Sequence, residues 1–236
     1  MATRSEDLFA KSLVERVVAR RGRLHPTLHI DPRRTALAVI DMQIAFTETA
    51  QPSETPAAKA IIPAINRLSA ALRAAGGHVA FSQGTFSDAA DGGWPAFFRR
   101  MVDPATAARI IAGLRPGAPG HRLDPGLMVA PGDFVFPKCR YSAFARGASP
   151  LEPWLIERGV STLIVAGTIT NVCCESTARD AMQLGFETIM AADANAAREQ
   201  SAHEATLASF IEFFGDVLTV DEIVDLIRVE AARGAA

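Results

Sequence analysis

The sequence predicts an α/β protein with a three-layer, doubly wound and mostly parallel sheet that carries helices on both faces. Short apolar runs alternate along the chain with stretches of helical periodicity. The runs are apolar on both faces, as the strands of a buried parallel sheet are. The chain has 236 residues, 49% of them hydrophobic and 21% charged, which suits one large domain with a sizeable core.

The predicted strands are short and rich in β-branched or aromatic residues. The first of them, Thr35 to Ile40, is apolar almost throughout and ends on Asp41. The third ends near Lys138, and the fourth stops at Ala166-Gly167. In chain order the predicted strands are 35–40, 78–82, 133–137, 162–165, 187–192 and about 217–220.

Between the strands, apolar residues recur at helical spacing. Pro63 predicts a kink or a late start in its helix, and Gly76-Gly77 predicts the end of that helix. Residues 83–134 are rich in glycine and proline, and so long an irregular stretch in a compact domain is often functional. The predicted helices are 5–20, 57–75, 103–113, 150–158, one that opens at 173–174, 201–214 and 221 onward.

Residues 1–30 are expected to form an N-terminal helical arm, packed on the body or on a second subunit, and residues 31–236 the main domain. The net charge of −2 indicates no bulk attraction to nucleic acid or to an anionic membrane. No secretory signal is expected, because the N-terminal residues lack an uninterrupted apolar run, and no membrane span is expected, because no segment reaches roughly 18 continuous apolar residues. Its three cysteines, two of them adjacent in sequence, predict a reduced, cytoplasmic protein. Their spacing does not match a zinc-binding motif, and no cofactor is expected.

The most informative stretch runs from Thr162 to Gly185, where a strand, a tight turn and a helix follow one another. Cys173 and Cys174 are expected in the first helical turn, where unpaired N–H groups and the helix dipole favour negative charge. A thiol there should lose its proton more easily, and the thiolate is the nucleophile. Because ligands bind beyond the carboxyl ends of parallel strands, Asp41 and Lys138 are expected beside it as base and cation.

Helix geometry separates the two cysteines. Cys174, Ala178, Ala181 and Gly185 share one stripe of small residues, which suits close packing against the sheet. Cys173 lies about 100° away around the helix. This favours Cys173 as the nucleophile and leaves Cys174 as the alternative.

Three segments of the chain resemble the isochorismatase-like cysteine hydrolases: AVIDMQ at 38–43, PKCRYSAF at 137–144 and GTITNVCCESTARDA at 167–181. The resemblance covers about residues 35–225 and implies a catalytic triad of Asp41, Lys138 and Cys173. It also implies a cis peptide bond at Thr168–Ile169, beside which backbone N–H groups stabilise an oxyanion. The implied reaction is attack of the cysteine on an amide-type carbonyl, followed by hydrolysis of the thioester.

Two departures from the family pattern reduce the number of reactions that the resemblance implies. Nicotinamidases bind a metal with an aspartate and two histidines after the second strand, whereas residues 81–88 contain no histidine, so neither a metal nor nicotinamidase activity is expected. True isochorismatases lack the cysteine. Within the family, the segments at 137–144 and 167–181 resemble those of the ureidoacrylate amidohydrolases, which implies a small carboxamide, ureido or carbamoyl substrate that releases ammonia. Such relatives are commonly dimers or tetramers, so a homo-oligomer is expected.

Candidate substrate-binding residues follow the strand ends or lie in the irregular region: Phe46, Gln83, Trp94, Arg140 and Tyr141. Gln83 can hydrogen-bond a substrate amide or be a plain loop residue. Arg140 can pair with a substrate carboxylate or face solvent. The aromatic side chains form either an apolar pocket wall or ordinary core.

Two further predictions concern polar residues outside the triad. Asn171 is expected to cap the helix that follows it rather than to touch substrate. None of the five histidines is expected to be catalytic, and His203 is expected on a helix surface.

Two other functions compete with amide hydrolysis. One is an isochorismatase-type vinyl-ether hydrolase, in which Asp41 acts as an acid and no covalent intermediate forms. The other is a binding or redox-sensing module that uses the adjacent Cys173 and Cys174, although adjacent cysteines form a strained ring.

Overall fold

A computed structural model describes residues 4–87, 89 and 92–234. Six strands form one parallel sheet in the order β3-β2-β1-β4-β5-β6, which confirms the predicted doubly wound α/β fold. The chain order reverses between β1 and β4, and this switch point is where such sheets bind ligands. The strands are β1 Thr35–Ile40, β2 His78–Gly84, β3 Phe134–Lys138, β4 Thr162–Thr168, β5 Glu187–Ala196 and β6 Asp216–Leu218.

Helices cover both faces of the sheet and give the three predicted layers. Helices α3 and α9 bury apolar side chains such as Leu68 and Ile223 on one face. Helices α1, α6, α7 and α8 do the same on the other face, with Leu155 and Phe210 among the buried residues. The α-helices are α1 Lys11–Arg21, α2 Ile44–Thr47, α3 Ile62–Ala74, α4 Pro95–Arg100, α5 Pro104–Gly113, α6 Leu151–Glu157, α7 Glu175–Gln183, α8 Gln200–Phe213 and α9 Val220–Gly234. No helix in the described ranges is long and apolar enough to cross a membrane.

The N-terminal arm packs on the body of its own chain. Leu13 and Val17 of α1 are buried in the core on the face of the sheet that α6, α7 and α8 also cover. Arg16 forms a hydrogen-bonded ion pair with Glu212 of α8, at 3.2 Å. The arm is also interrupted, because a short 3-10 helix, Ser5–Leu8, precedes α1 where one continuous helix over 5–20 was predicted.

Strand β5 is longer than predicted and contains an irregularity. Its pairing with β4 jumps from Val165↔Met190 to Gly167↔Asn195, so β5 has extra residues there. The Asn195 side chain fills the bulge by donating to the carbonyl oxygens of Val165, at 2.9 Å, and Ala191, at 2.7 Å. Beyond the bulge, β5 pairs with β4 again and ends at Ala196, at the carboxyl edge of the sheet.

The cysteines do not lie in an α-helical turn, contrary to prediction. Residues Thr170–Cys174 form a π-helical turn, and the α-helix begins only at Glu175. Helices α2 and α4 were not predicted because each is too short to show a periodicity. Pro63 lies in the first turn of α3, behind a 3-10 helix, which fits the late start predicted for it.

Candidate active site

The fold brings Asp41, Lys138 and Cys173 together at the carboxyl edge of the sheet. Asp41 follows β1, Lys138 ends β3, and Cys173 lies in the turn after β4. Lys138 Nζ is 2.8 Å from Asp41 Oδ2, and both side chains are 2% exposed. The Cys173 side chain is buried beside this ion pair and, with Asp41 and Lys138, lines one pocket.

Asp41 is held in place by its backbone as well as by its carboxylate. Its φ of +49° is in the left-handed region, which few non-glycine residues adopt outside sites of special geometry. The Asp41 carbonyl oxygen accepts a hydrogen bond from Thr168 Oγ1, at 3.1 Å. Asp41 is thereby tied to the turn that carries Cys173.

The turn between β4 and α7 has an unusual backbone. The peptide bond Thr168–Ile169 is cis, at the position that the family resemblance implies. The N–H groups of Val172 and Cys174 donate to the Ile169 carbonyl oxygen, at 3.0 and 3.2 Å. These bonds close the turn around the Cys173 thiol.

Ser82 is a site residue that the sequence analysis missed. It lies on β2 and is fully buried. Its hydroxyl donates to Asp41 Oδ1, at 2.7 Å, and accepts from the Asp41 backbone N–H, at 2.9 Å. Each carboxylate oxygen of Asp41 therefore has a partner, Ser82 on one and Lys138 on the other. A serine at a buried strand position was the signal that could have identified it.

Replacing Ser82 with alanine is expected to lower kcat about tenfold to 100-fold with a smaller change in KM, because the lost hydrogen bond to a charged group frees the Asp41 carboxylate to rotate. Ser82→Thr, which keeps the hydroxyl, should recover most of the activity. Steady-state kinetics on an amide substrate measure both effects.

The matched control is Ser69→Ala, since Ser69 is a fully buried serine whose hydroxyl has no hydrogen-bond partner in the described part of the chain. Equal losses of activity in the Ser69→Ala and Ser82→Ala variants would contradict a positioning role for Ser82.

The charges around the thiol differ from the sequence expectation. Burial, only partly offset by the Lys138 ammonium, raises the pKa of Cys173 to about 12. The thiol is therefore neutral at rest, and the prediction that it loses its proton easily is wrong. Burial by itself disfavours the Lys138 ammonium, but attraction to the Asp41 carboxylate outweighs it, so the pKa of Lys138 lies above its ordinary value.

Cys174 packs in the core, as the stripe of small residues predicts. It is fully buried with Ala178 and Ala181, and its sulfur lies 4.0 Å from the Ala166 carbonyl oxygen. It does not line the pocket. Cys173 is thus the cysteine that a substrate can reach.

The pocket above Asp41, Lys138 and Cys173 has a volume of about 460 Å³. Of the five candidate substrate-binding residues, Phe46, Trp94, Arg140 and Tyr141 line it. Gln83 does not line it, so of its two alternatives the substrate-binding one is not supported. Its side chain instead donates to the His121 carbonyl oxygen, at 2.8 Å, and ties β2 to the following loop.

Arg140 lines the pocket, but its guanidinium is already engaged. It donates to the backbone carbonyls of Cys139, at 2.7 Å, and Gly93, at 3.1 Å, and lies over the Trp94 ring. Arg198, which follows β5 and was not predicted, also lines the pocket. It is exposed, and no hydrogen bond or ion pair joins it to the rest of the described chain. Arg198 is therefore freer than Arg140 to meet an anionic group.

Two predictions for polar residues are wrong. Asn171 does not cap a helix, since it is exposed and lines the pocket, and neither helical segment there has a side-chain cap. His203 is not on the surface of its helix. It is partly buried, with Nδ1 3.0 Å from Thr170 Oγ1, and burial lowers its pKa. No histidine lines the pocket.

The described residues contain no group of three or more His, Cys, Asp or Glu side chains arranged to hold a metal ion. Asp88, the last residue of the segment compared with the nicotinamidases, lies outside the described residues.

A sequence profile of the isochorismatase domain matches residues 35–222. The chain belongs to the isochorismatase family. Ureidoacrylate amidohydrolase RutB of Pseudomonas syringae pv. syringae is 33% identical over 211 residues, which are 83% of this chain and 84% of that protein. The uncharacterized family protein YwoC of Bacillus subtilis is 30% identical and covers 86% of this chain and 98% of its own.

Solved structures of the family share the fold. A cysteine hydrolase from Pseudomonas syringae pv. phaseolicola 1448A has a TM-score of 0.77 and 29% identity, covering 86% of this chain and 96% of that one. The nicotinamidase/pyrazinamidase PncA of Bacillus subtilis has a TM-score of 0.66 and 28% identity, covering 78% and 98%. Family membership makes the chain a hydrolase.

Proposed function

We propose that the protein is a metal-independent cysteine amidohydrolase, which hydrolyses a non-peptide C–N bond in a small carboxamide, ureido or carbamoyl substrate and releases ammonia. The observation that carries the proposal is the Lys138–Asp41 ion pair, buried beside Cys173 at the floor of a pocket. The similarity to RutB, named as a ureidoacrylate amidohydrolase, supports the substrate class.

In the first half of the reaction, the Cys173 sulfur attacks the carbonyl carbon while its proton passes to Asp41. A thiol whose pKa is raised to about 12 by burial needs such a base at the moment of attack. Lys138 keeps Asp41 in position and balances its charge. The carbonyl oxygen becomes an oxyanion, for which the backbone N–H groups of Ile169 and Cys173, beside the Thr168–Ile169 bond, are the proposed donors.

In the second half, the tetrahedral intermediate collapses, and the C–N bond breaks as the amine takes the proton from Asp41. Ammonia leaves and a thioester to Cys173 remains. Water then attacks the thioester carbonyl and gives a proton to Asp41, which returns it to the departing sulfur. The acid product leaves, and the neutral thiol and the Asp41–Lys138 pair are restored.

Amide hydrolysis is tested by ammonia release from a panel of primary amides, N-carbamoyl compounds and ureido acids. We expect turnover of at least one class, unchanged after treatment with a metal chelator. Acid-quenched intact-mass measurement should detect a transient acyl adduct on Cys173. An active enzyme that never shows an adduct and cleaves a vinyl ether would instead support the isochorismatase-type reaction, with Asp41 as the acid.

A homo-oligomer, dimer or tetramer, and a cytoplasmic location stay predictions from the sequence. The described chain buries Leu13 and Val17 of the N-terminal arm within one subunit. Sedimentation of the purified protein measures the oligomeric state directly.

A further inference from the structure

The pocket above Cys173 continues into a chamber formed by residues that follow β2 and by Phe46 of α2. We call it the apolar chamber and define it by the side chains of Phe46, Phe86, Trp94, Phe97, Ile110 and Leu114, all of which line the same pocket as the triad. Helices α4 and α5 supply part of its wall. The reacting sulfur and the chamber thus share one continuous space.

The chamber is built separately from the core that packs on the sheet. Phe46 and Leu114 form one small cluster with Phe86, and Phe98 and Ile111 form a second behind it. Neither cluster is part of the two that hold the helices against the strands. The apolar wall is therefore not a by-product of the main core.

Aromatic packing fixes the shape of the wall. The rings of Trp94 and Tyr141 meet edge to face with centroids 4.7 Å apart, and those of Trp94 and Phe97 are 4.9 Å apart. Phe86 meets Phe98 edge to face at 4.9 Å. These are favourable geometries for aromatic pairs. A chamber held in this way loses little conformational entropy when a ligand enters it.

The volume exceeds what a carbamoyl group needs. Pockets of about 300–1,000 Å³ hold ligands of drug size, and this one measures about 460 Å³. A carboxamide has three heavy atoms and occupies only the space next to Cys173. A short, polar ureido acid would leave the aromatic wall without contacts.

We infer that the substrate carries a bulky apolar group, of phenyl size or larger, on the acyl side of the scissile carbonyl, and that this group fills the apolar chamber. The inference rests on the proposed amide hydrolysis, since release of ammonia leaves only the acyl side to extend into the pocket. The chamber then determines specificity, while the triad performs the reaction.

The test is a series of straight-chain primary amides from acetamide to octanamide, with 3-phenylpropanamide and a polar ureido acid of similar length. We expect kcat/KM to rise about fourfold for each added methylene until the chamber is full, because burial of a methylene contributes about 0.8 kcal/mol. The phenyl compound should exceed the ureido acid by at least about tenfold. A flat or falling series, or the ureido acid as the best substrate, would overturn the inference while leaving amide hydrolysis intact.

Binding to the Cys173→Ala variant separates the two proposals, because it requires no turnover. Calorimetric affinities for the same amides should rise with chain length even if the wild-type enzyme hydrolyses none of them. Affinities that do not depend on chain length would exclude the apolar subsite whatever the reaction is.

The two tryptophans provide a matched pair of variants. Trp94→Leu should flatten the dependence of kcat/KM on chain length. Trp154→Leu should preserve it, since Trp154 stacks on Phe134, 4.9 Å away, and does not line the pocket. The slope is a ratio within each variant and does not depend on the fraction of folded enzyme. Equal slopes in both variants would contradict the chamber assignment.

Discussion

Cys173→Ala is expected to reduce amide hydrolysis by about 10⁴-fold or more, because removal of a nucleophile eliminates the covalent route altogether. Cys173 is buried against the Lys138–Asp41 pair and lines the pocket, so no other thiol in the described chain can substitute for it. Ammonia release under saturating substrate measures the loss, and the mass adduct should disappear with it.

Cys174→Ala is the matched control for the nucleophile. Its sulfur is fully buried in the core, outside the pocket. Its loss should cost about 1 kcal/mol of stability from the small cavity and leave kcat within a few-fold of wild type. Full activity in Cys173→Ala, with activity lost in Cys174→Ala, would reverse the assignment of the nucleophile. Loss in both would favour the alternative in which the adjacent pair has a binding or redox-sensing role.

Gly167→Ala is expected to lower the free energy of unfolding by more than about 4 kcal/mol or to prevent folding, since it combines backbone strain with overpacking. Gly167, the last residue but one of β4, has a φ of +115°, a conformation that alanine rarely adopts. A Cβ there would lie 2.2 Å from the Ile40 carbonyl oxygen and 2.7 Å from the Ile40 nitrogen, both in the neighbouring strand. Urea denaturation of soluble protein, or its absence, measures the effect.

Gly185→Ala separates the two causes. Gly185 has a similar φ of +96°, but a Cβ there meets nothing within 4 Å. Its replacement should therefore cost only about 1 kcal/mol from backbone strain. If the two variants lose the same stability, close approach of β1 and β4 does not explain the glycine at 167. If the Gly167→Ala enzyme folds and keeps full activity, the turn between β4 and α7 can shift without loss of function.

The pKa of the Cys173 thiol is shifted in the direction opposite to the one that its sequence position predicts. Helix-terminus reasoning predicted a thiolate stabilised by a dipole, whereas burial raises the pKa of Cys173. That reasoning failed because Cys173 lies in a π-helical turn at the pocket floor, where its side chain is almost fully buried. Desolvation depends on what the rest of the chain places around the sulfur, and no local pattern contains it.

The residues that line the pocket were harder to predict from the sequence than Asp41, Lys138 and Cys173. Arg198 was missed because β5 was predicted to end at Ala192, whereas the bulge at Asn195 carries the strand four residues further. For Gln83 the sequence left a substrate-binding role and a plain loop role equally open, and its side chain in fact donates to the His121 carbonyl oxygen. In each case the direction of a side chain depends on a long-range contact.

The α/β class and all six strands follow from the order of residues, because apolar runs must be buried on both faces and alternating helices must cover them. The same patterns predict that Asp41, Lys138 and Cys173 lie together, since parallel strands place their carboxyl ends at one edge of the sheet. The protonation of the thiol, the hydrogen bond from Ser82 and the size of the apolar chamber depend instead on the folded structure. These properties arise where segments distant in sequence meet, and their energies depend on burial and distances that the order of residues does not contain.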